Sequence, residues 1–567
     1  MKTYIRKIVM LLCFGGVLVA TSCSDFLTKP PKTSFTDENY WTSEANVRTF
    51  AWGLYNQFYG YGRGASTNGE FYWQSNGLNT NMLFTDDLMN NTFIDLPSTV
   101  SPSNAKWNEF YVDIRKTNLM LTRLPSVPNV SDAARNHLEG VAKFFRANMY
   151  FNLVVAFGDV PYIDVYADPS QSDNIYVPRT DRKVVIDNVI ADLQFAAQNM
   201  YLSDGRDAVN RFSALALLAR VALFEGTFRK YHNLGGFEAY LTTAKNAANE
   251  IISSGLYSLA PTFKSKFNSV ALLNNPEMIL YKRYEKDIMR HSILAYTNTS
   301  TTINGLTKAA VDSYVCTDGL PISQSGLYQG DQGLQNVIAN RDTRFRDAII
   351  TTALGYVGND FGGLTSSTGY LTNIYNNPTL SGTDVTTINQ NFIDAPIYTL
   401  SEIYLIYAEA AAELGNLTQA DLDNTINKLR QRAGVAPLVL SGANITASGV
   451  VINDPKRTST LETQTGVVNP IIWEIRRERR AELMTWNYLR HMDLMRWKKG
   501  DYLDTQKNPD VALGAWVNSP SNNGYFKAYQ LPRVFESPKH YLNSIPRNDI
   551  ILYEAEGVTL TQNPGWN

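Results

Sequence analysis

Apolar residues return every three or four positions through much of the chain, a period that predicts amphipathic helices. In "SDAARNHLEGVAKFFRANMYFNLVVAFGDVP", Ser131 is placed to cap a long run that ends at Gly158, with Pro161 just beyond. "TDRKVVIDNVIADLQFAAQNM" puts Ile186, Val189, Ile190, Leu193 and Ala197 on one face. "RFSALALLARVALFEGTF" is dense in Ala and Leu, as close helix packing requires, and "FEAYLTTAKNAANEIISSGLY" stops at Gly255, a suitable C′ residue. Earlier helices are expected around 43–59 and 105–124. Later, "LSEIYLIYAEAAAELG" is followed by "LTQADLDNTINKLRQRAG", where Thr418 and Asp421 fit a capping box and Gly434 closes the helix.

Between about 257 and 400 this periodicity fades. From Thr351 to Ile393 the only charges are Asp360 and Asp384, among many Gly, Ser, Thr, Asn and Tyr. Long irregular stretches in an ordered domain are usually functional or disordered, and the scattered Tyr and Phe weigh against disorder. A second loop-rich belt is expected at roughly 436–470. The fold class is therefore mainly α. Its helix pairs resemble tetratricopeptide-type helix–turn–helix units, without a strict 34-residue consensus. Those pairs fall mainly in 37–256 and 398–500 of a body spanning 37–567, with the loop-rich ligand region mainly at 257–397.

The first residues have a different pattern. Lys2, Arg6 and Lys7 precede an apolar stretch from Ile8 to Ala20, which reads as an export signal. It falls short of the roughly 20 apolar residues that a membrane-spanning helix needs. Ala20, Thr21 and Ser22 before Cys23 resemble a bacterial lipobox, so residues 1–22 are expected to leave and Cys23 to carry the lipid anchor. The stretch 23–36, polar and with Pro30 and Pro31, suits a semi-rigid tether. With Cys13 in the leader, only Cys23 and Cys316 remain, too few for a disulfide framework.

Charge removes one class of function. Losing Lys2, Arg6 and Lys7 takes the net charge from −2 to −5, without the basic footprint of a nucleic-acid protein. Aromatic residues make up 12% of the chain, and Tyr outnumbers Phe 32 to 25. Tyrosine joins a flat apolar face to a polar tip, which suits wet recognition surfaces as well as helix contacts.

No catalytic or metal constellation emerges. His137, His232, His291, His491 and His540 have no partner at zinc-protease spacing, and GxSxG, Walker A and EF-hand patterns are missing. "GYGRGA" fails the dinucleotide fingerprint at Ala65, and Cys316 reads as a buried small hydrophobe. A glycosidase needs two carboxylates across a cleft. Asp86 and Asp87 are adjacent, so their side chains should diverge. Glu409 and Glu413 share a helical face that an exposed surface would explain. "WEIRRERRAEL" pairs Glu474 with Arg477 and Arg479 with Glu482 at i,i+3, and Asp493 lies between Arg490 and Arg496 at the same spacing, as in a surface or inter-helix ion network.

What recurs is an aromatic beside amides in loop-like sequence. "GEFYWQSNGLNTN" holds Tyr72, Trp73, Gln74, Asn76 and Asn79, and "AYTNTSTTING" holds Tyr296, Asn298 and Asn304. A sugar ring offers an apolar CH face for stacking and a rim of hydroxyls for amides that both donate and accept. Ordinary loop packing is the competing explanation for each residue. Tyr72, Trp73, Asn76, Tyr296 and Asn298 are the candidate ligand contacts.

Several stretches together resemble the SusD/RagB family of outer-membrane lipoproteins of Bacteroidetes. They include "SCSDFLTKPP", "FFRANMYFNLVVAFGDVPYI", "YLIYAEAAAELG", "INKLRQRAG", "IRRERRAEL", "DLMRW" and the terminal "IPRNDIILYEAEGVTLTQNPGWN", and they run in order along essentially the whole chain. The match departs at Trp486-Asn487, Asn543 and Trp566, which touch local packing. The resemblance implies a lipid-anchored cell-surface protein, not an enzyme, with no cofactor. It would bind glycan, or peptide in some members, and deliver it to a SusC-type TonB-dependent transporter in the outer membrane. A surface glycoside hydrolase is the alternative from another class.

Overall fold

The computed structural model describes residues 40–62, 84–90, 95–166, 175–297, 304–352, 366–484, 486, 489–519, 521–529 and 531–566. The expected anchor Cys23 lies outside them.

The architecture is mainly helical. Helices α1 (Glu44–Trp52), α2 (Ala105–Arg123), α3 (Asp132–Phe157), α4 (Arg182–Asn199), α5 (Arg211–Tyr231) and α6 (Glu238–Ser253) come first, and α7 (Leu400–Glu413), α8 (Pro470–Leu483) and α9 (Leu489–Arg496) complete the scaffold. Each of α2 to α6 packs against the next; α7 then lies between α6 and α8, and α9 lies on α5. The boundaries follow local chemistry. Ser131 accepts from Ala134 N to start α3, and Gly158 ends it at φ +73°. Gly255 and Gly434 also take positive φ, where a Cβ would be strained. Thr418 and Asp421 form the reciprocal capping box. Their helix, however, runs only over Gln419–Asn424 and restarts at Ile426–Arg432, because Thr425 leaves helical geometry at φ −130°, ψ −88°. On α4 the expected face is buried, except that Ile190 is half-buried.

Helix α5 is buried on every side from Phe212 to Arg229, so its charges need partners on neighbouring helices. Glu225 takes Arg182 of α4 at 2.7 Å, and Arg220 takes Glu402 of α7 at 2.7 Å. The exposed face expected for Glu409 and Glu413 is not found. Glu409 is enclosed and receives Arg496 Nη1 and Nη2 at 2.6 and 2.7 Å, while Glu413 receives Lys230 at 2.8 Å, Tyr231 at 2.7 Å and Arg476 at 3.2 Å.

Helix α8 corrects a second expectation. Glu474–Arg477 forms at i,i+3 with 3.0 Å, but Arg479 leaves Glu482 for Asp493 at 2.8 Å. Glu482 is held by Lys266 at 2.5 Å, Arg344 at 3.0 Å and Arg432. Asp493 keeps Arg496 at 2.9 Å, whereas Arg490 turns to Asp86. A helix packed on several sides meets carboxylates from other elements, and well-aligned Arg–carboxylate geometry outcompetes an i,i+3 neighbour.

The strands are short. Besides the two-residue strands Val160–Pro161 and Arg179–Thr180, which pair antiparallel with each other, they are β1 (Leu88–Asn90), β2 (Met278–Lys282), β3 (Asn304–Leu306), β4 (Ala395–Thr399), β5 (Leu438–Ser441), β6 (Asn444–Ala447), β7 (Val450–Val451), β8 (Leu513–Ser519) and β9 (Gly524–Lys527). The numbered strands also pair antiparallel: β1 with β3, β2 with β4, β8 with β9, and the meander β5–β6–β7, which occupies part of the belt expected to be loop. Cys316 is a buried free thiol. Trp486 donates to Pro396 O at 3.3 Å, and Trp566 donates to Leu542 O at 2.8 Å, both in packed surroundings.

Candidate ligand-binding frame

Four stretches of chain cross at one place. Strand β1 pairs with β3 through Leu88↔Leu306, Met89↔Gly305 and Asn90↔Asn304. Gly305 also bridges to Leu371, and Ser367 Oγ donates to Met89 O. Ala515 N, on β8, donates to Thr368 O at 2.7 Å. The crossing tolerates no side chain at two points: a Cβ on Gly305 would collide with Thr368 Oγ1, and one on Gly514 with the Thr368 backbone.

The frame is fastened to the scaffold by charge. Asp86 receives Arg490 Nε at 2.7 Å and Nη2 at 2.8 Å, together with Arg480 Nη2 at 3.0 Å. Asp87 receives Arg480 Nε at 2.7 Å. The two carboxylates thus converge on one guanidinium and do not diverge as adjacency suggests, because residues 84–87 form a bend and not a regular element. Burial pushes the Asp86 carboxyl up, but Arg480 and Arg490 outweigh it and hold it at about 2. For Asp87, burial and the neighbouring Asp86 prevail over Arg480 and push the carboxyl up. Thr307 closes the joint, donating through Oγ1 to Asp86 O at 2.6 Å and through N to Asp87 O at 2.9 Å.

Of the sequence-derived contacts, Tyr72, Trp73, Asn76 and Asn298 lie outside the described residues, and Tyr296 belongs to the short helix Ile293–Thr297. Their two segments are far apart in sequence. Yet residues 88–90, which come after the first, and residues 304–306, which come after the second, form the two sides of the β1–β3 ladder.

Beside the frame lies a set of side chains that sequence reasoning did not single out. Trp516 and Tyr525 face each other across the β8–β9 hairpin, both half-buried. Gly524 sits at φ +92°, and a Cβ there would collide with the Trp516 indole. Tyr525 donates its hydroxyl to Asp331, while Lys308 Nζ lies 5.1 Å from the Tyr525 ring centre. Lys308 is tied to Asp312 at 2.5 Å and Asp510 at 3.8 Å; burial lowers its ammonium pKa, and these carboxylates more than reverse that. Burial and Asp331 push the Tyr525 phenol up, so it acts as a donor. Tyr328 is half-buried close by, pushed up to about 12 by burial and then by Asp312 and Asp331. Ring faces, a phenol, carboxylates and an ammonium within one neighbourhood can stack on an apolar ring and bond its polar rim. The signal was present in "WVNSPSNNGYF", an aromatic-flanked turn whose Asn518, Asn522 and Asn523 all take positive φ.

Among the described residues, no cluster of His, Cys, Asp and Glu could hold a metal ion, and no helix is long and apolar enough to cross a membrane. Desolvation pulls the buried His291 and the half-buried His491 down to about 3 and about 4, which keeps both neutral.

Residues 276–566 match the family model described as "SusD family", and residues 25–223 match one described as "Starch-binding associating with outer membrane". The chain is 25% identical to SusD-like protein P38 of Formosa agariphila over 530 residues, covering 88% of this chain and 93% of that protein. Among solved structures, a SusD-like carbohydrate-binding protein from Bacteroides fragilis superposes with a TM-score of 0.69 at 20% identity, covering 90% of this chain and 98% of the other. A laminarin-binding SusD-like protein superposes with a TM-score of 0.55 at 21% identity, covering 92% and 100%.

Proposed function

The chain belongs to the SusD family, and from that premise we propose that it is a lipid-anchored outer-membrane protein that captures oligosaccharide or polysaccharide and hands it, uncleaved, to a SusC-type TonB-dependent transporter. Cys23 is the anchor, and Tyr72, Trp73, Asn76, Tyr296 and Asn298 are the ligand contacts. One observation carries the site assignment: the strands that come after the two aromatic–amide segments pair with each other as β1 and β3. Trp516 and Tyr525 extend the same neighbourhood. The carbohydrate and laminarin named for two structural relatives, and the starch and outer membrane named for the matching family model, support the choice of ligand and location. Capture needs only binding chemistry: ring faces for stacking and fixed donors for hydroxyls.

Affinity electrophoresis of the purified protein against a panel of polysaccharides tests the reading. Retardation by one glycan, abolished in Trp73→Ala, is the expected result. Retention by a peptide mixture and by no glycan would replace the ligand class, and release of reducing ends would replace binding with hydrolysis.

A further inference from the structure

A pocket of about 90 Å³ opens behind the frame, between α8, α9 and the stretch around Asp454 and Glu462. Its wall is rich in guanidinium groups, and their hydrogen bonds can be followed one by one. Arg476 lies between the rings of Tyr231 and Trp497, at 4.6 and 4.3 Å from their centres, and gives Nη2 to Glu413 at 3.2 Å. Its Nε has no partner although the residue is 6% exposed. Arg480 and Arg490 direct Nε and Nη2 to Asp86 and Asp87, and among the described residues their Nη1 groups bond to nothing.

The acceptors in the wall are already engaged. Both Asp454 oxygens accept, Oδ1 from Lys456 N at 2.9 Å and Oδ2 from Trp473 Nε1 at 3.0 Å and Arg477. Both Glu462 oxygens accept as well, from Lys499 at 2.5 Å and from Tyr502. The carboxylates behind the arginines bring the shell close to neutrality, so net charge does not decide what fits. The donor inventory does. Unused N–H groups of planar guanidiniums, with every lining carboxylate oxygen engaged, complement a ligand that only accepts.

We propose that this pocket is a site for a small oxyanion, a carboxylate or a sulfate, gripped by Arg476, Arg480 and Arg490. The group arrives either as a free anion or as the acidic substituent of a sugar. The inference is independent of the ligand assigned to the loops, because none of its residues belongs to those segments. An oxyanion here would meet charge-assisted donors in a partly dry site, where such bonds are about twice as strong as neutral ones.

Isothermal titration of the purified protein with sulfate, glucuronate and glucose, at constant ionic strength set by chloride, tests the site. Saturable one-to-one binding of sulfate or glucuronate, with glucose silent, is expected. Arg476→Gln should weaken it at least tenfold. Ala309→Met, which fills the pocket without removing a charge, should abolish it, and this variant serves if Arg476→Gln does not fold. Tighter sulfate than glucuronate assigns a free inorganic anion; the reverse assigns a sugar-borne carboxylate. No saturable heat from either anion, or unchanged binding in Ala309→Met, would overturn the proposal.

Discussion

Across the helical scaffold, buried charges lock one helix to the next: Arg182 to Glu225, Arg220 to Glu402, Arg496 to Glu409. At the β1–β3 frame charge acts only at the joint to the scaffold, where Arg480 and Arg490 hold Asp86 and Asp87; within the frame the chain is held by short ladders, hydroxyls and glycine crossings, such as Thr307 on Asp86 O and Thr368 against Gly305 and Gly514. The difference is one of tolerance. A buried ion pair fixes two elements at one distance and is costly to break, because the survivor stays charged in a dry site. Within the frame single hydrogen bonds do most of the holding, and losing one costs only about 1 kcal/mol.

Four substitutions probe that division, in falling order of effect. Arg496→Ala removes the two-pronged partner of the buried Glu409, leaving it Trp497 Nε1 at 2.8 Å and Arg479 at 3.9 Å, and should cost about 3–5 kcal/mol in urea unfolding. Asp86→Asn cuts the link between frame and scaffold. With the folded carboxyl at about 2 against an ordinary value of 3.8, its charge contributes about 2 kcal/mol. Because the folded value is the lower one, that contribution is present above the unfolded pKa and is lost as pH falls through 2. Asp87, shifted upward, offsets part of it. Urea midpoints at pH 7 and pH 3 should therefore differ less in Asp86→Asn than in the parent. Gly524→Ala should cost about 1–2 kcal/mol from its positive φ and the displaced Trp516, and should shift tryptophan fluorescence. Tyr525→Phe should cost about 1 kcal/mol or less, since its hydroxyl bond to Asp331 is only half-buried. Equal losses for Arg496→Ala and Tyr525→Phe would erase the distinction.

Helix ends were legible in the sequence because they depend on neighbours in the chain: Ser131, Gly158, Gly255 and the Thr418–Asp421 box all stand where their residue types require. Partner choice was not. Spacing shows that Arg479 can reach Glu482, but says nothing of Asp493, which another helix presents at 2.8 Å. The burial of Glu409 and Glu413 failed to show for the same reason: a carboxylate looks exposed until the arginines that neutralise it arrive from elsewhere. For the candidate site, composition marks out the aromatic–amide segments, whose role as contacts is the proposal; it does not show the pairing of β1 with β3, which depends on strands more than two hundred residues apart meeting in space. Trp516 and Tyr525 were missed because an aromatic in a hairpin looks like packing until its neighbours are known.

The joint at Arg480 has a consequence for how the molecule comes into being. Asp87 and Arg480 stand 393 residues apart, so a chain made from its N-terminus releases β1 long before the cation that fastens it exists. Helices α2 to α6 find their partners nearby in sequence and can close early, whereas such distant pairing comes at a high entropic cost and closes late. In a pulsed hydrogen-exchange experiment, amides of β1 should gain protection after those of α3 to α5. The frame is then the last part to set, and a chain that stalls before residue 480 carries an assembled scaffold with an unfastened frame.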